Sequence, residues 1–175
     1  MGGIFLMLQE ESLLSENFVI NGFYMLLINI ELDEASSVLA ALASNETLTR
    51  MVYVAAQSYK TDVDDWINSG QAFKTRPEGQ LQQSINWLPD GDSSATVFAN
   101  AAHAPYVEFG TRPHIINAKN RKALKFAGGG GFIFRRSVHH PGSKPFPFFY
   151  TDMTNRQENM MNAVRLVLAE AGANG

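Results

Sequence analysis

The chain patterns as an α+β fold: a small mixed or antiparallel sheet against two or three helices, with a protruding basic β-hairpin arm. Three observations predict it. Leu48, Met51, Val52, Ala55, Ala56, Tyr59, Val63, Trp66 and Ile67 recur at three- and four-residue spacing, the period of one helix face. The period then falls to two around a turn, as in a hairpin. Finally, the stretch between Phe109 and Thr151 contains no Asp or Glu and eight Lys or Arg.

In chain order, residues 1–24 precede the first clear element and form an N-terminal extension, either an ordered arm, a disordered tail or the product of an upstream start. With no Lys or Arg before Arg50 and with Glu10, Glu11 and Glu16 present, the beginning does not read as a secretion signal. Met25–Leu32 reads as a strand. The apolar stretch Phe18–Ile30 is interrupted by Asn21, Gly22 and Asn29. It falls short of the about 20 apolar residues a membrane span requires. Asp33 suits the N-cap of a short helix with Val38, Leu39 and Leu42 on one face. Asn45 opens the long helix, which runs to Gly70 and carries Lys60, Asp62, Asp64 and Asp65 on its polar side.

Leu81–Trp87 then alternates, with 81, 85 and 87 apolar, and Pro89-Asp-Gly-Asp92 is turn chemistry. Ala95–Ala99 pairs back. Tyr106–Thr111 is a short apolar element closed by Gly110, and Arg112–Ile116 begins an extended excursion. Ala123–Phe126 and Phe132–Val138 flank the glycine run Gly128–Gly131 as a second hairpin, the run being a flexible tip or a tight reversal. Pro141–Pro147 is stiff and non-helical. A last helix starts near Thr151 or Thr154, where Thr154 and Gln157 have capping-box spacing, and ends at Gly172. Residues 25–175 thus read as one domain with an arm at 112–145. Of the aromatics after the prolines, the alternating pair Phe146 and Phe148 is expected in the core.

The net charge of −3 conceals a segregation. Residues 1–70 hold ten acids against two bases, residues 71–150 four against ten, and residues 151–175 three against two. A basic arm of this kind attracts an anionic partner, nucleic acid or an acidic protein surface such as a neighbouring copy's N-terminal half.

Tests for chemistry are negative. The chain has no cysteine, which excludes disulfides, thiolate metal sites and a cysteine nucleophile. His139 and His140 are adjacent and would point to opposite faces of a strand. No carboxylate between Glu108 and Asp152 joins them and His114. There is no Gly-x-Ser-x-Gly, and no Gly-Lys-Ser/Thr follows the glycine run. Asp62, Asp64 and Asp65 fit the solvated face of a helix. Phe132 and Phe134 beside Arg135 and Arg136 suit sheet packing better than base stacking. No enzyme, no cofactor and no metal are expected.

Four blocks in order, Glu78–Ile85, Ala104–Thr111, Arg112–Ile116 with Lys122–Phe126, and His140–Phe149, resemble the tailed-bacteriophage tail-component proteins, also called tail-completion or neck proteins. The likeness runs from about Val38 to Leu168. It departs from the family's pattern in the helix before the hairpin, which is acidic here. The resemblance implies a non-enzymatic virion protein at the head–tail junction or tail terminus, acting in the virion and assembled in the host cytoplasm. It would join connector to tail tube by protein–protein contacts and associate with itself in a ring, expected to be a hexamer, without a membrane. The alternative is a DNA-contacting module of the head–tail channel, using the basic segment 112–144. The residues singled out for interaction are Tyr106, Glu108, Phe109, Gly110 and Thr111 at the base of the arm and Arg112, Lys119, Arg121, Lys122, Arg135, Arg136 and Lys144 along it. Gly79, Gly91, Pro141, Gly142 and Pro145 are expected at structural turns, and Gly110 to supply a backbone conformation rather than a contact.

Overall fold

The computed structural model describes residues 6–9, 26–32, 45–70, 79–91 and 94–173. The short helix expected after Asp33 lies outside them. The fold is α+β, and all strand pairing among the described residues is antiparallel. A four-stranded sheet has the order β1-β2-β4-β3, from β1 (Leu6–Gln9), β2 (Leu26–Leu32), β3 (Ile85–Pro89) and β4 (Ser94–Ala99). Strand β1 falls in the N-terminal segment and pairs Leu6 with Leu32.

Strand period two puts one set of residues on the inner face. Leu26, Ile28 and Ile30 of β2, Ile85 of β3, and Ala95, Val97 and Ala99 of β4 are buried. The register aligns them, Ile28 with Val97 and Ile30 with Ala95. Helix α1 (Asn45–Asn68) covers this face with Met51, Val52, Ala55, Ala56, Tyr59, Val63 and Ile67. Alanines on both α1 and β4 let the helix backbone come close to the sheet. Each larger side chain buried here stabilises by roughly 1.5–3 kcal/mol relative to exposure. Helix α1 ends through hydrogen bonds from Ser69 N–H to Asp65 O and Gly70 N–H to Ile67 O, with Gly70 at φ 70°. Helix α4 (Met153–Ala173) packs on α1 through Met160, Val164 and Val167. No helix among the described residues is long and apolar enough to cross a membrane.

Four local expectations are corrected or made more specific. The strand pattern of 81–87 holds only from Ile85, because Gln80–Gln83 forms the short helix α2. Leu and Gln are good helix formers, and no β-branched residue intervenes before Ile85. Gly79 precedes α2 in extended conformation, φ −61° and ψ 147°, so no left-handed glycine is needed there. Gly91, at φ 84°, does turn β3 toward β4. Second, Ala104–Phe109 is a helix, α3, with Pro105 in its first turn, too short for a period to show. Third, α4 begins at Met153, between the two expected starts Thr151 and Thr154, and runs one residue past the expected end at Gly172. Asp152 precedes it, accepting Arg156 N–H at its carbonyl and the Asn155 amide at its carboxylate. Fourth, Phe148 and Phe149 are the fully buried pair, while Phe146 is exposed.

The segment 111–143 pairs mainly with itself. Strand β5 (His114–Asn117) pairs with β8 (Ser137–His140), and β6 (Leu124–Gly128) with β7 (Gly131–Arg135). The stretch expected as one strand, Phe132–Val138, is therefore two, parted at Arg136, whose carbonyl accepts Ala118 N–H. The glycine run is a tight reversal. Gly128 pairs with Gly131, and Gly129 (φ 57°) and Gly130 (φ 88°) form the turn, the positive-φ pair that a two-residue hairpin of matching twist requires.

Candidate interaction site

The two limbs of this ribbon meet at a base made of α3 and residues 141–150. Thr111 and Ser143 exchange both backbone hydrogen bonds at 3.1 Å, and Val107 O accepts Phe146 N–H. Gly110 follows α3 at φ 72° and ψ −175°. A Cβ there would stand 2.5 Å from Ser143 O and 2.8 Å from Pro145 N. Gly142, at φ 89°, would drive a Cβ into Thr111 O. The expectation that Gly110 supplies conformation rather than contact is thus half the account, because the glycines also let two backbones touch.

Below the crossing, residues 146–150 adopt no helix or strand, yet their backbone is hydrogen-bonded almost group by group. Glu108, only 3 % exposed, accepts Phe148 N–H at 2.8 Å and Phe149 N–H at 2.9 Å on Oε2, and Tyr150 N–H at 3.1 Å on Oε1. The carbonyls are served from two other helices. Trp66 Nε1 donates to Pro147 O, Arg156 Nη2 to Phe148 O, and both Tyr59 Oη and Arg156 Nη1 to Phe149 O. Tyr150 Oη reaches back to Leu27 O of β2. Irregular backbone is costly to bury without partners. Here an anion collects the N–H groups and a cation collects the C=O groups, from α3 and α4 respectively. Charge-assisted bonds of this kind are about twice as strong as neutral ones.

Aromatic packing completes the clasp. Phe149 meets Tyr59 and Tyr150 edge-on, and Phe109 stacks on Tyr150 at 6.2 Å between centroids. Arg156 lies 5.2 Å from the Tyr59 ring centroid. Burial pushes the Tyr59 hydroxyl well above the ordinary tyrosine range, more than the Arg156 guanidinium lowers it. The unfolded chain would lose this proton at about pH 10, before the folded one does. Stability from Tyr59 is therefore intact below that pH and drains away as pH rises above it. Tyr59→Phe is expected to cost about 1 kcal/mol at neutral pH, because Arg156 still serves Phe149 O, and to flatten the alkaline loss. Urea midpoints at about pH 8 and about pH 10.5 measure both; an unchanged alkaline slope would count against the assignment.

The sequence-selected residues divide in two. Tyr106, Glu108, Phe109, Gly110, Thr111, Gly142 and Pro145 belong to the base. Pro141 is exposed beside it. Arg112, Lys119, Arg121, Lys122, Lys125, Arg135, Arg136 and Lys144 are all exposed. Among the described residues none of these eight forms an ion pair; the two ion pairs there are Arg50–Glu170 and Lys60–Asp64. Lys125 Nζ sits 3.8 Å above the Phe132 ring centroid. Sequence reading missed Arg156 and Tyr59. Arg156 carried a signal, one turn before Met160 on the stripe that continues to Val164 and Val167. A base on an apolar stripe needs buried partners.

The histidines do not gather. His114 faces His140 across β5 and β8 with centroids 5.1 Å apart, but both Nδ1 atoms are engaged. His114 Nδ1 contacts Arg112 O, and His140 Nδ1 accepts Gly142 N–H. A neutral ring accepting at Nδ1 carries its proton on Nε2, the wrong tautomer for a metal there. Among the described residues no three His, Asp or Glu side chains converge as a metal site. The expectation that Asp62, Asp64 and Asp65 are all freely solvated is only partly met. Asp62 carries the Asn159 amide on both oxygens at 3.0 Å, with burial raising its carboxyl, and Asp64 pairs with Lys60. No family model, no curated protein and no solved structure matches the chain.

Proposed function

We propose that this chain is a structural protein of a tailed-phage virion, acting at the head–tail junction as a neck, tail-completion or tail-terminator component. It joins the connector to the tail tube by protein–protein contacts and performs no catalysis. The observation that carries this reading is where the motif blocks meet. Ala104–Thr111 and His140–Phe149, with 28 residues between them in sequence, are bound to one another through Glu108, Val107 and Thr111. The motifs thus supply a rigid mount. Between them runs a ribbon whose seven exposed cations and exposed aromatics have no role in the core. A mount with an outward segment suits a joining protein, since rigid support limits the ordering cost of association.

Gene disruption in the particle-producing host tests it. The expected result, by electron microscopy, is filled heads and tails that remain unjoined, with joining restored by the intact chain. Normal joined particles would overturn the reading, as would failure to find the protein by mass spectrometry in purified particles.

A further inference from the structure

The ribbon has an unpartnered face, and its composition narrows what covers it. Among the described residues, eight of the ten large hydrophobic residues left exposed lie from Tyr106 to Phe146. Cross-strand pairs share a face. The register of Lys125 with Phe134 and Ala127 with Phe132 therefore puts both phenylalanines and the lysine on one side of β6–β7. Phe132 is 65 % and Phe134 57 % exposed; Arg135, cross-strand from Leu124, belongs to the other side of the hairpin. Phosphate backbones reward cations, not a pair of phenyl rings held in a regular two-stranded ladder. Exposed aromatic side chains are the typical anchors of a protein-interface core.

The complementary surface exists on the chain itself. Helix α1 carries Glu46, Asp62, Asp64 and Asp65 against Arg50 and Lys60. Of these, Asp62 and Asp65 line a hollow between α1 and α4 with Trp66, Asp152, Asn159 and Arg156, so three carboxylates stand there against one guanidinium. No ion pair joins the ribbon's cations to acids of the same chain among the described residues. We infer that the Phe132–Phe134 face of one copy docks on the acidic α1 surface around Asp62 and Asp65 of a second copy. The contact is heterologous: ribbon on one side, helix face on the other. Each copy therefore keeps one free ribbon and one free acidic face, and association continues until a ring closes or a chain grows. The inference goes beyond the virion role and is settled in purified protein, so its failure leaves the gene-disruption result untouched.

Light scattering on the full chain provides the test. Near 50 mM salt, the expected mass is several times 19.3 kDa, falling as salt is raised to about 500 mM because exposed charges are screened. Phe132→Ser/Phe134→Ser and, separately, Asp62→Asn/Asp65→Lys should each give single copies. Mixed together, they should give a 1:1 dimer and nothing larger, since only one competent ribbon meets one competent acidic face. A carbodiimide cross-link between Lys125 of unlabelled and Asp65 of isotope-labelled wild type reports the same contact without any variant. Wild-type protein that stays single at low salt would overturn the inference, as would a mixture that still forms large assemblies. Absence of the Lys125–Asp65 link between copies does so too. Duplex DNA bound with steep salt dependence by wild type, lost with Arg135→Glu/Arg136→Glu while the mass stays single, would assign the ribbon to nucleic acid instead.

Discussion

Glu108→Ala is expected to lower the unfolding free energy by about 3–5 kcal/mol, the range for breaking a buried charged network by removing one partner. Three backbone N–H groups, of Phe148, Phe149 and Tyr150, converge on this carboxylate. The first two belong to residues whose side chains are fully buried, so water is poorly placed to replace it. Against a total stability of about 5–15 kcal/mol, the loss brings the domain close to unfolding. Glu108→Gln separates shape from charge. Its carbonyl oxygen still accepts, but its NH2 faces an N–H donor, so it should recover less than half of the loss. Urea denaturation gives both values. A loss below about 1 kcal/mol for the alanine variant, the size of an ordinary exposed substitution, would mean that the clasp does not hold the 146–150 segment.

How much of this was legible in the sequence depends on how regular each element is. Helix α1 was readable because nine apolar residues keep its period over five turns, and β3–β4 because turn chemistry separates two alternating runs. The six-residue α3 and four-residue α2 are shorter than the window in which a period can show itself. Around the clasp, sequence pointed to Glu108 inside Tyr-Val-Glu-Phe-Gly but gave it no task, since its partners are backbone groups forty residues away. Backbone groups carry no sequence signature. The exchange of Phe146 for Phe149 in the core has the same origin. Alternation presumes a strand, whereas Phe148 and Phe149 sit on irregular backbone whose successive side chains can both turn inward, because Glu108 and Arg156 satisfy the polar groups that a ladder would otherwise serve. The eight cations were legible in the sequence and all are exposed, and the register adds the face that Phe132 and Phe134 share with Lys125, which a charge count does not reveal.

Gly110→Ala is expected to cost about 2–4 kcal/mol. Its φ of 72° with ψ of −175° lies in the region reserved for glycine, where other residues cost about 1–3 kcal/mol in strain alone. The added methyl also meets backbone atoms of Ser143 and Pro145 at 2.5 and 2.8 Å, which cannot swing aside as a flexible side chain would. Relief requires parting Thr111 from Ser143, the pairing that closes the base of the ribbon. Gly130→Ala is the matched control, since its φ of 88° is equally left-handed but a methyl there meets nothing within 4 Å. It should pay the conformational cost at the hairpin tip and leave the base intact. Amide hydrogen exchange distinguishes the two: Gly110→Ala should deprotect Thr111, Ser143 and Phe146, whereas Gly130→Ala should affect only β6 and β7. Equal losses of stability, with Thr111 and Ser143 protected in both variants, would show that the conformational term dominates and that close approach of the two limbs contributes little. If instead the base opens, the ribbon loses its fixed angle to the core while its cations and phenylalanines remain unaltered. Self-association should then weaken even though no docking residue has changed, because holding the ribbon at that angle is the mechanical task of the glycine crossing and the Glu108 clasp beneath it.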